Sequence, residues 1–246
     1  MQVTDKHLRF NFVVNVLDGS FFGAALGFAS FVTVIPLYVS GLTSSAVLIG
    51  LIPAIHTVGW QLPQLFTASR IARLRQYKPV VLTMTTFERL PFLGLAVLAG
   101  SSAGLDKSVI LLITFTLLIF QGISGGLTAT AWQSMIAKII PFKVLGTFYG
   151  VQSAFANLFA SIGAVAAGFI LDSQPYPIDF TLCFALASIS MAISLGFISL
   201  TREQAHDSNG RNATQHAFMA NLSTIIKRDV NFRWFLLCRN LTQFST

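Results

Sequence analysis

The feature that most constrains this chain is a series of long stretches without a charged side chain. No Asp, Glu, Lys or Arg occurs between Asp18 and Arg70, or within residues 108–137, 144–171 and 180–201. About 20 apolar residues cross the ~30 Å hydrocarbon core of a bilayer as a helix, so each shorter stretch holds one span and the longest holds two. Only 10% of the chain is charged and its mean hydropathy is +0.70, whereas soluble domains carry about 25% charged residues. The sequence therefore predicts an integral membrane protein.

Six spans are predicted, at residues 11–38, 46–66, 79–99, 109–136, 146–170 and 179–200. They are predicted to be helices, because backbone polar groups exposed to lipid have no water partners and the runs are apolar all round. Residues 1–200 thus form a six-helix bundle. Residues 201–231 are polar and predict a connector, either a short amphipathic helix on the membrane surface or a solvated linker. Residues 232–246 begin a further apolar segment, interpreted as the truncated start of a seventh helix.

The basic residues indicate the orientation of the spans. The loops on one side contain thirteen of them, whereas Lys107 alone lies in the loops of the other side; the thirteen are Lys6, Arg9, Arg70, Arg73, Arg75, Lys78, Lys138, Lys143, Arg202, Arg211, Lys227, Arg228 and Arg233. Basic loops remain in the cytoplasm. We therefore predict a multi-pass protein of the cell membrane with a cytoplasmic N-terminus. The net charge of +7 is then a topology signal, and no nucleic-acid partner is expected.

Five polar residues inside the spans are candidates for a substrate or coupling site. Asp18, with Asn15 one turn before it, lies in the first span, where an ionisable group is costly and often functional. Its carboxylate could bind a cation, carry a proton or pair with a basic group. His56 could titrate near neutral pH or serve as a packing residue. Gln121 and Asn157 could line a hydrophilic path or form hydrogen bonds between helices.

Glu88 and Arg89 are adjacent in the third span, and consecutive helical residues do not share a face. We expect each to meet a different neighbour, as a structural or gating pair. The basic loop residues Arg70, Arg73, Arg75 and Lys78 are placed in the same gating or structural group. Gly150, Gly163 and Gly168 are expected to allow close helix packing.

Sequence patterns of enzymes and metal sites give no functional prediction here. Gly122-Ile-Ser124-Gly125 matches the short motif of intramembrane serine proteases, but the sixth span supplies no histidine to act as the base. There is no phosphate-binding loop, no H-E-x-x-H and no carboxylate cluster in the sequence. We predict a protein that is not an enzyme and that uses no cofactor and no metal.

The order of features resembles the major facilitator superfamily. Six spans, a basic loop after the second span and a long connector before a seventh are all typical of it. Residues 69–78 occupy the place of the loop signature G-x-x-x-D-R-x-G-R-R, with Arg73 at the acidic position. Residues 163–170 are similar to the end of the fifth-span antiporter signature, without its proline, which favours export. Local strings are similar to a bacterial branch of the superfamily; they are Asn15-x-x-Asp18-Gly19, Ile35-Pro36-Leu37, Gln61-Leu-Pro63-Gln64-Leu65, Glu88-Arg89-Leu-Pro91, Ala131-Trp132 and Thr201-Arg202-Glu203.

This resemblance implies a half-bundle of two inverted three-helix repeats that works with a C-terminal half missing from this sequence. It implies a secondary active transporter that moves a small solute across the bilayer by alternating access, coupled to H⁺ or Na⁺. The alternative is a membrane sensor or assembly protein of the same fold that does not transport. In the family the first and fourth helices line the cavity, which favours Asp18 and Gln121. The third and sixth face lipid, which argues against substrate contact by Glu88 and Arg89.

Overall fold

The computed structural model describes residues 5–204, 228–231, 233, 234 and 238. Its helices are α1 (Asp5–Phe28), α2 (Val34–Ser40), α3 (Ala46–Ile71), α4 (Lys78–Gly100), α5 (Lys107–Ile139), α6 (Phe142–Ser173) and α7 (Ile178–Ser199), with a 3₁₀ turn at Ser102–Gly104. No strand occurs in this described part, so the prediction of an all-α fold is confirmed. The predictions for the connector and for the start of a seventh helix lie mostly outside the described residues.

Six helices, α1 and α3 to α7, are long and apolar enough to cross a membrane. Their first residues follow local signals in the sequence. Ser45 stands in extended backbone before α3, and its Oγ accepts a hydrogen bond from the Leu48 N–H at 3.4 Å. Pro141 and Pro177 directly precede α6 and α7. Proline is well tolerated there, because a backbone N–H at the start of a helix has no partner within the helix. The predicted number of spans in residues 1–200 is confirmed.

The first predicted span, 11–38, is wrong as one continuous helix, because α1 ends at Phe28 and α2 begins at Val34. Between them, Oγ of Ser30 accepts hydrogen bonds from the backbone N–H groups of Val32 and Thr33, both at 3.2 Å. Such side-chain bonds compete with helical ones. Pro36 then removes a backbone donor from the first turn of α2. Hydropathy could not reveal this break, since the residues on both sides of it are apolar.

The pairing of helices has an internal symmetry. The helix α1 packs against α6 and α7, α5 packs against α3 and α4, and α4 packs against α7. Exchanging α1 with α5, α3 with α6 and α4 with α7 reproduces these five pairs, which are the most extensive ones. Each repeat contains three spans, so the second repeat starts on the opposite side of the membrane and is inverted. This is the predicted half-bundle arrangement.

Small residues bring the helices into backbone contact at two crossings. A methyl group on Gly23 or Gly27 of α1 would overlap the backbone of α6, and one on Gly59 of α3 would lie 2.8 Å from the Cα of Gly122 on α5. The predicted packing glycine Gly163 lies at the first crossing, where an added methyl would be 2.5 Å from a carbonyl oxygen of α1. Close approach of this kind is the usual role of small residues in membrane helices.

The other two predicted packing glycines require a correction. Methyl groups built on Gly150 and Gly168 would have no heavy atom within 4 Å in the described chain. Both residues therefore lie on faces of α6 that meet no other described helix. The spacing of small residues did not show which face of α6 turns towards α1.

A polar layer separates two apolar clusters inside the bundle. One cluster lies around α2 and includes Tyr38, Leu95 and Phe184; the other includes Val81 and Met135. In α1, α4, α5 and α7, buried polar residues lie between members of the two clusters; among them are Asp18, Glu88, Arg89, Ser124, Thr128 and Ser194. The polar layer thus lies near the middle of the spans.

Candidate functional site

A cavity of about 240 Å³ lies within the polar layer. All six long helices contribute to its wall, with Ile198 as the contribution of α7. Its polar lining includes Asp18, Thr85, Glu88, Arg89, Thr128 and Gln152. Three aromatic side chains, Phe22, Trp60 and Trp132, also line it. A few polar groups in a mostly apolar wall are typical of small-molecule sites.

An ion pair joins α1 to α4 at the cavity wall. Oδ1 of Asp18 accepts a hydrogen bond from Nη2 of Arg89 at 2.9 Å, and the two side chains are 7% and 6% exposed. Ser194 of α7 bridges them, since its Oγ accepts from Nη2 of Arg89 at 2.7 Å and donates to Oδ1 of Asp18 at 2.6 Å. Nη1 of Arg89 donates to the hydroxyl of Thr85. Of the three roles considered for Asp18, the structure shows pairing with a basic group.

The two adjacent charges of α4 face different neighbours, as their positions on the helix require. Thr85 and Arg89 are four residues apart and share a face, which is turned towards α1 and α7. Glu88 faces α5, because a methyl group on Gly125 would lie 3.0 Å from its Oε1. Glu88 is only 1% exposed. The lipid-facing position implied for this pair is therefore wrong; the exposed face of α4 carries Leu90 instead.

Glu88 differs from Asp18 in its hydrogen bonding. Its Oε1 is buried and has no hydrogen-bond partner among the residues that the structure describes. Trp60 lies close to it, since the same added methyl on Gly125 would be 2.8 Å from the indole ring. Thr85 and Thr128 line the same part of the cavity. Oδ1 of Asp18 thus has two hydrogen-bond donors, whereas Oε1 of Glu88 has none among the described residues.

His56 and Gln121 form a second polar pair beside the main cavity. Nδ1 of His56 lies 3.3 Å from Oε1 of Gln121, and the imidazole stacks on Phe31 with 3.9 Å between ring centroids. His56 also lines a neighbouring cavity of about 310 Å³ that shares Trp60 with the first. Both residues therefore lie close to the cavity, but Gln121 is not part of its wall.

The remaining two candidates lie away from the cavity wall. Nδ2 of Asn15 donates hydrogen bonds to the carbonyl oxygen of Asn11 at 2.8 Å and to Oγ1 of Thr201 at 3.1 Å. Asn15 thus joins α1 to the segment after α7, which corrects its placement among the cavity residues. Asn157 is exposed on α6, and a contact with substrate there stays a prediction.

The end of the bundle that carries the loop of Arg70, Arg73, Arg75 and Lys78 is here called the basic end. The carboxylate of Glu203 is at the centre of its hydrogen bonding. It accepts from the backbone N–H groups of Tyr77 and Lys78 at the start of α4, the shortest at 2.7 Å, and forms an ion pair with Lys138 of α5 at 2.7 Å. The side chain of Glu203 is 1% exposed.

The chemical types of some of these residues explain why they were not among the predicted site residues. Ser194 and Thr85 are small hydroxyl residues within apolar helices, where their usual bond is to the helix's own backbone. Trp60 and Trp132 carry large aromatic side chains, which occur in packed cores as well as in ligand sites. Glu203 alone carried a signal, since it is an acid among basic residues close to the end of a span.

These features define a class of protein, the six-helix half-bundles from which two-part membrane transport proteins are built. The sequence profile of the Major Facilitator Superfamily matches residues 17–245. The chain therefore belongs to the Major Facilitator Superfamily.

Curated relatives with similar sequences are vertebrate proteins named lysosomal dipeptide transporter MFSD1. The human protein is 36% identical over 75 residues, which cover 29% of this chain and 16% of the human protein. The mouse protein is 34% identical over 88 residues, 36% of this chain and 19% of the mouse protein. The chicken protein is 33% identical over 75 residues, 29% of this chain and 17% of the relative. The chain thus matches less than a fifth of the length of these relatives.

Proposed function

We propose that this protein is a secondary active transporter that moves a small solute by alternating access. The observation that carries this proposal is the central cavity, to which all six spans contribute and whose wall holds three ionisable side chains at mid-depth. Charged groups inside a membrane protein are costly and usually mark substrate or ion pathways. A volume of about 240 Å³ is near the lower end of ligand pockets, ~300–1,000 Å³, and so favours a small solute.

Dipeptides are the substrate class we propose first. The support comes from the names of the relatives, all of which are dipeptide transporters. At its two termini a dipeptide carries one ammonium and one carboxylate group at neutral pH. The cavity contains side chains of both signs, Asp18 and Glu88 against Arg89, so its chemistry is compatible with a zwitterion. The direction of transport, with export as the prediction from the fifth span, is part of the same proposal.

Coupling to H⁺ or Na⁺ completes the proposed mechanism, and the sequence assigned it to Asp18. Because Oδ1 of Asp18 already accepts hydrogen bonds from Arg89 and Ser194, we propose that Asp18 acts by holding Arg89 at the cavity wall. Asp18→Asn in the full-length protein tests whether coupling depends on Asp18. Proton-coupled flux at the wild-type rate in that variant would exclude Asp18 from coupling.

The experiment for the function itself is uptake of radiolabelled dipeptides by liposomes that contain the purified full-length protein. We expect saturable uptake that empty liposomes lack, and stimulation by an imposed ion gradient. The alternative, a sensor or assembly protein of the same fold, predicts a folded protein that binds a ligand without moving it. Thermal stabilisation by a dipeptide in the absence of any flux would favour that alternative.

The membrane location is also a proposal. Thirteen basic residues on one side of the spans against one on the other support a cytoplasmic position of the N-terminus and of the basic end. We propose the cell membrane as the location.

A further inference from the structure

Glu88 is a buried acidic side chain that takes no part in the ion pair of Asp18 and Arg89. It is 1% exposed, lines the cavity, and its Oε1 has no hydrogen-bond partner within the described chain. A buried carboxylate is unfavourable when one of its oxygens has no hydrogen-bond donor. A proton on Glu88, or a second cation beside it, would remove this cost.

Among the described residues that line the cavity, acidic side chains outnumber basic ones by one. The ionisable groups of the polar layer that line the cavity are Asp18, Glu88 and Arg89. If all three were ionised, two negative charges would face a single positive one. One bound proton makes the group neutral.

The hydrogen bonds decide which carboxyl group holds that proton. Asp18 accepts charge-assisted bonds from Arg89 at 2.9 Å and from Ser194 at 2.6 Å, and such bonds favour the ionised form. Glu88 has no comparable donor at Oε1. If it is protonated, its O–H can donate to the hydroxyl oxygens of Thr85 or Thr128, which line the same part of the cavity.

Within the described part of the chain, the helices around Glu88 add no further charged side chain to the cavity wall. The charged side chains that accompany Glu88 in the cavity wall are Asp18 of α1 and Arg89 of α4. The contributions of α5, α6 and α7 to the cavity are uncharged, with Thr128, Gln133, Gln152 and Ile198 among them. The helix α3 contributes Trp60, with His56 one turn earlier and hydrogen-bonded to Gln121.

We propose that Glu88 is the proton-binding site of this cavity, holding an exchangeable proton at neutral pH while Asp18 stays ionised against Arg89. On release, the O–H bond of Glu88 breaks and the proton passes through the cavity to water, leaving a second carboxylate in the site. The role of this proton in coupling rests on the function proposed above, whereas the protonation itself does not.

A metal ion in place of the proton fits this position less well. Hard cations take several oxygen ligands, and no group of three or more His, Cys, Asp or Glu that could hold a metal occurs among the described residues. Close to Oε1 lie the indole of Trp60 and the backbone of Gly125. The surroundings of Glu88 thus suit a proton, which needs a single oxygen.

The test is infrared spectroscopy of the full-length protein in lipid at about pH 7, where exposed carboxyl groups with a pKa of about 4 are ionised. A protonated carboxylic acid gives a carbonyl band that ionised carboxylates lack and that shifts in D₂O. We expect this band in the wild type. It should shift when the protein is made by cell-free synthesis with ¹³C-glutamate and stay in place with ¹³C-aspartate.

Two variants and a control test the assignment of the infrared band to Glu88. Glu88→Gln should abolish the band, whereas the exposed control Asp172→Asn should keep it. Arg89→Gln removes the positive charge, so Asp18 should take up a proton as well and add a second band that shifts with ¹³C-aspartate. The isotope shift in the wild-type protein is decisive even if a variant fails to fold.

Three results would overturn the proposal. They are the absence of the band in the wild type, a band that shifts with ¹³C-aspartate instead of ¹³C-glutamate, and loss of the band when Na⁺ replaces choline at constant pH. The last would show that a metal cation occupies the site. None of these results depends on flux, so a protein that transports dipeptides but lacks the band would contradict this inference and leave the proposed function intact.

Discussion

At the scale of single residues, Ser194 has the most distinctive place in the polar layer. It is the contribution of α7 to the ion pair, and its hydroxyl bonds both charges, to Arg89 at 2.7 Å and to Asp18 at 2.6 Å. In a low-dielectric interior, hydrogen bonds to charged groups are stronger than those between neutral groups. Ser194 therefore fixes the positions of Asp18 and Arg89 in the cavity wall.

We expect Ser194→Ala to lower the free energy of unfolding by about 1.5–3 kcal/mol, the usual contribution of hydrogen bonds to charged groups. Equilibrium unfolding in mixed detergent and SDS micelles measures this quantity. Ser199→Ala, on the same helix but exposed, is the matched control and should change it by less than about 0.5 kcal/mol. Equal effects of the two substitutions would show that the bridge contributes no special stability.

The sequence reveals only part of this site, for a physical reason. Asp18 stands out because an acid is costly in an apolar helix. The pairing of Asp18 with Arg89 in particular was not predicted, because which face of α4 meets α1 and α7 depends on the rotation of each helix in the bundle. The same limit applies to Glu88, whose burial against Gly125 arises from packing between helices that are distant in sequence.

At the scale of helices, the crossing of α1 and α6 depends on backbone contact. Gly163→Ala should weaken it, because the new methyl group would lie 2.5 Å from the carbonyl oxygen of Ala24. We expect a loss of about 1–3 kcal/mol, as for other overpacked sites. Gly168→Ala, on the same helix but in open space, should leave stability unchanged or raise it by about 0.5–1 kcal/mol, since alanine favours the helix. The same micelle unfolding assay compares the two, and a larger loss at Gly168 would contradict the packing of α1 on α6.

The start of α4 depends on Glu203 in a similar way. Glu203→Gln removes the ion pair with Lys138 and the negative charge at a helix N-terminus, where an anion is favourable. We expect a loss of about 1–2 kcal/mol and faster amide hydrogen exchange at Tyr77 and Lys78 by mass spectrometry. The exposed neighbour substitution Gln204→Ala should change neither quantity. Unchanged exchange in Glu203→Gln would show that the start of α4 is held by other contacts.

The extent of each helix could be predicted wherever charge marks the boundary. Arg70, Lys78, Lys107 and Asp179 lie within a residue or two of helix ends, because lysine, arginine and aspartate are expelled from the hydrocarbon core. The break between α1 and α2 carried no such mark. It depends on Ser30 and Pro36, which act through the backbone and hardly alter hydropathy.

At the scale of the whole molecule, the inverted pairing of helices and the distribution of basic residues lead to one expected orientation. In a Cys238→Ser background, Gln76→Cys at the basic end and Gly104→Cys at the opposite end are suitable reporters, since both positions are exposed. A membrane-impermeant maleimide added to intact cells should label Gly104→Cys alone. Labelling of Gln76→Cys alone would show that the orientation is reversed.

The central claim is that solute passes through the cavity around Asp18, Glu88 and Arg89. Counterflow of a radiolabelled dipeptide into preloaded liposomes tests it most directly, with Ala129→Phe as the variant, because Ala129 is buried in the cavity wall. We expect counterflow by the wild type and by Ala137→Phe, an exposed position on the same helix. Folded Ala129→Phe should show at least a tenfold loss, about 1.4 kcal/mol or more in the transport barrier. Wild-type counterflow in Ala129→Phe would contradict the claim that this cavity is the transport site.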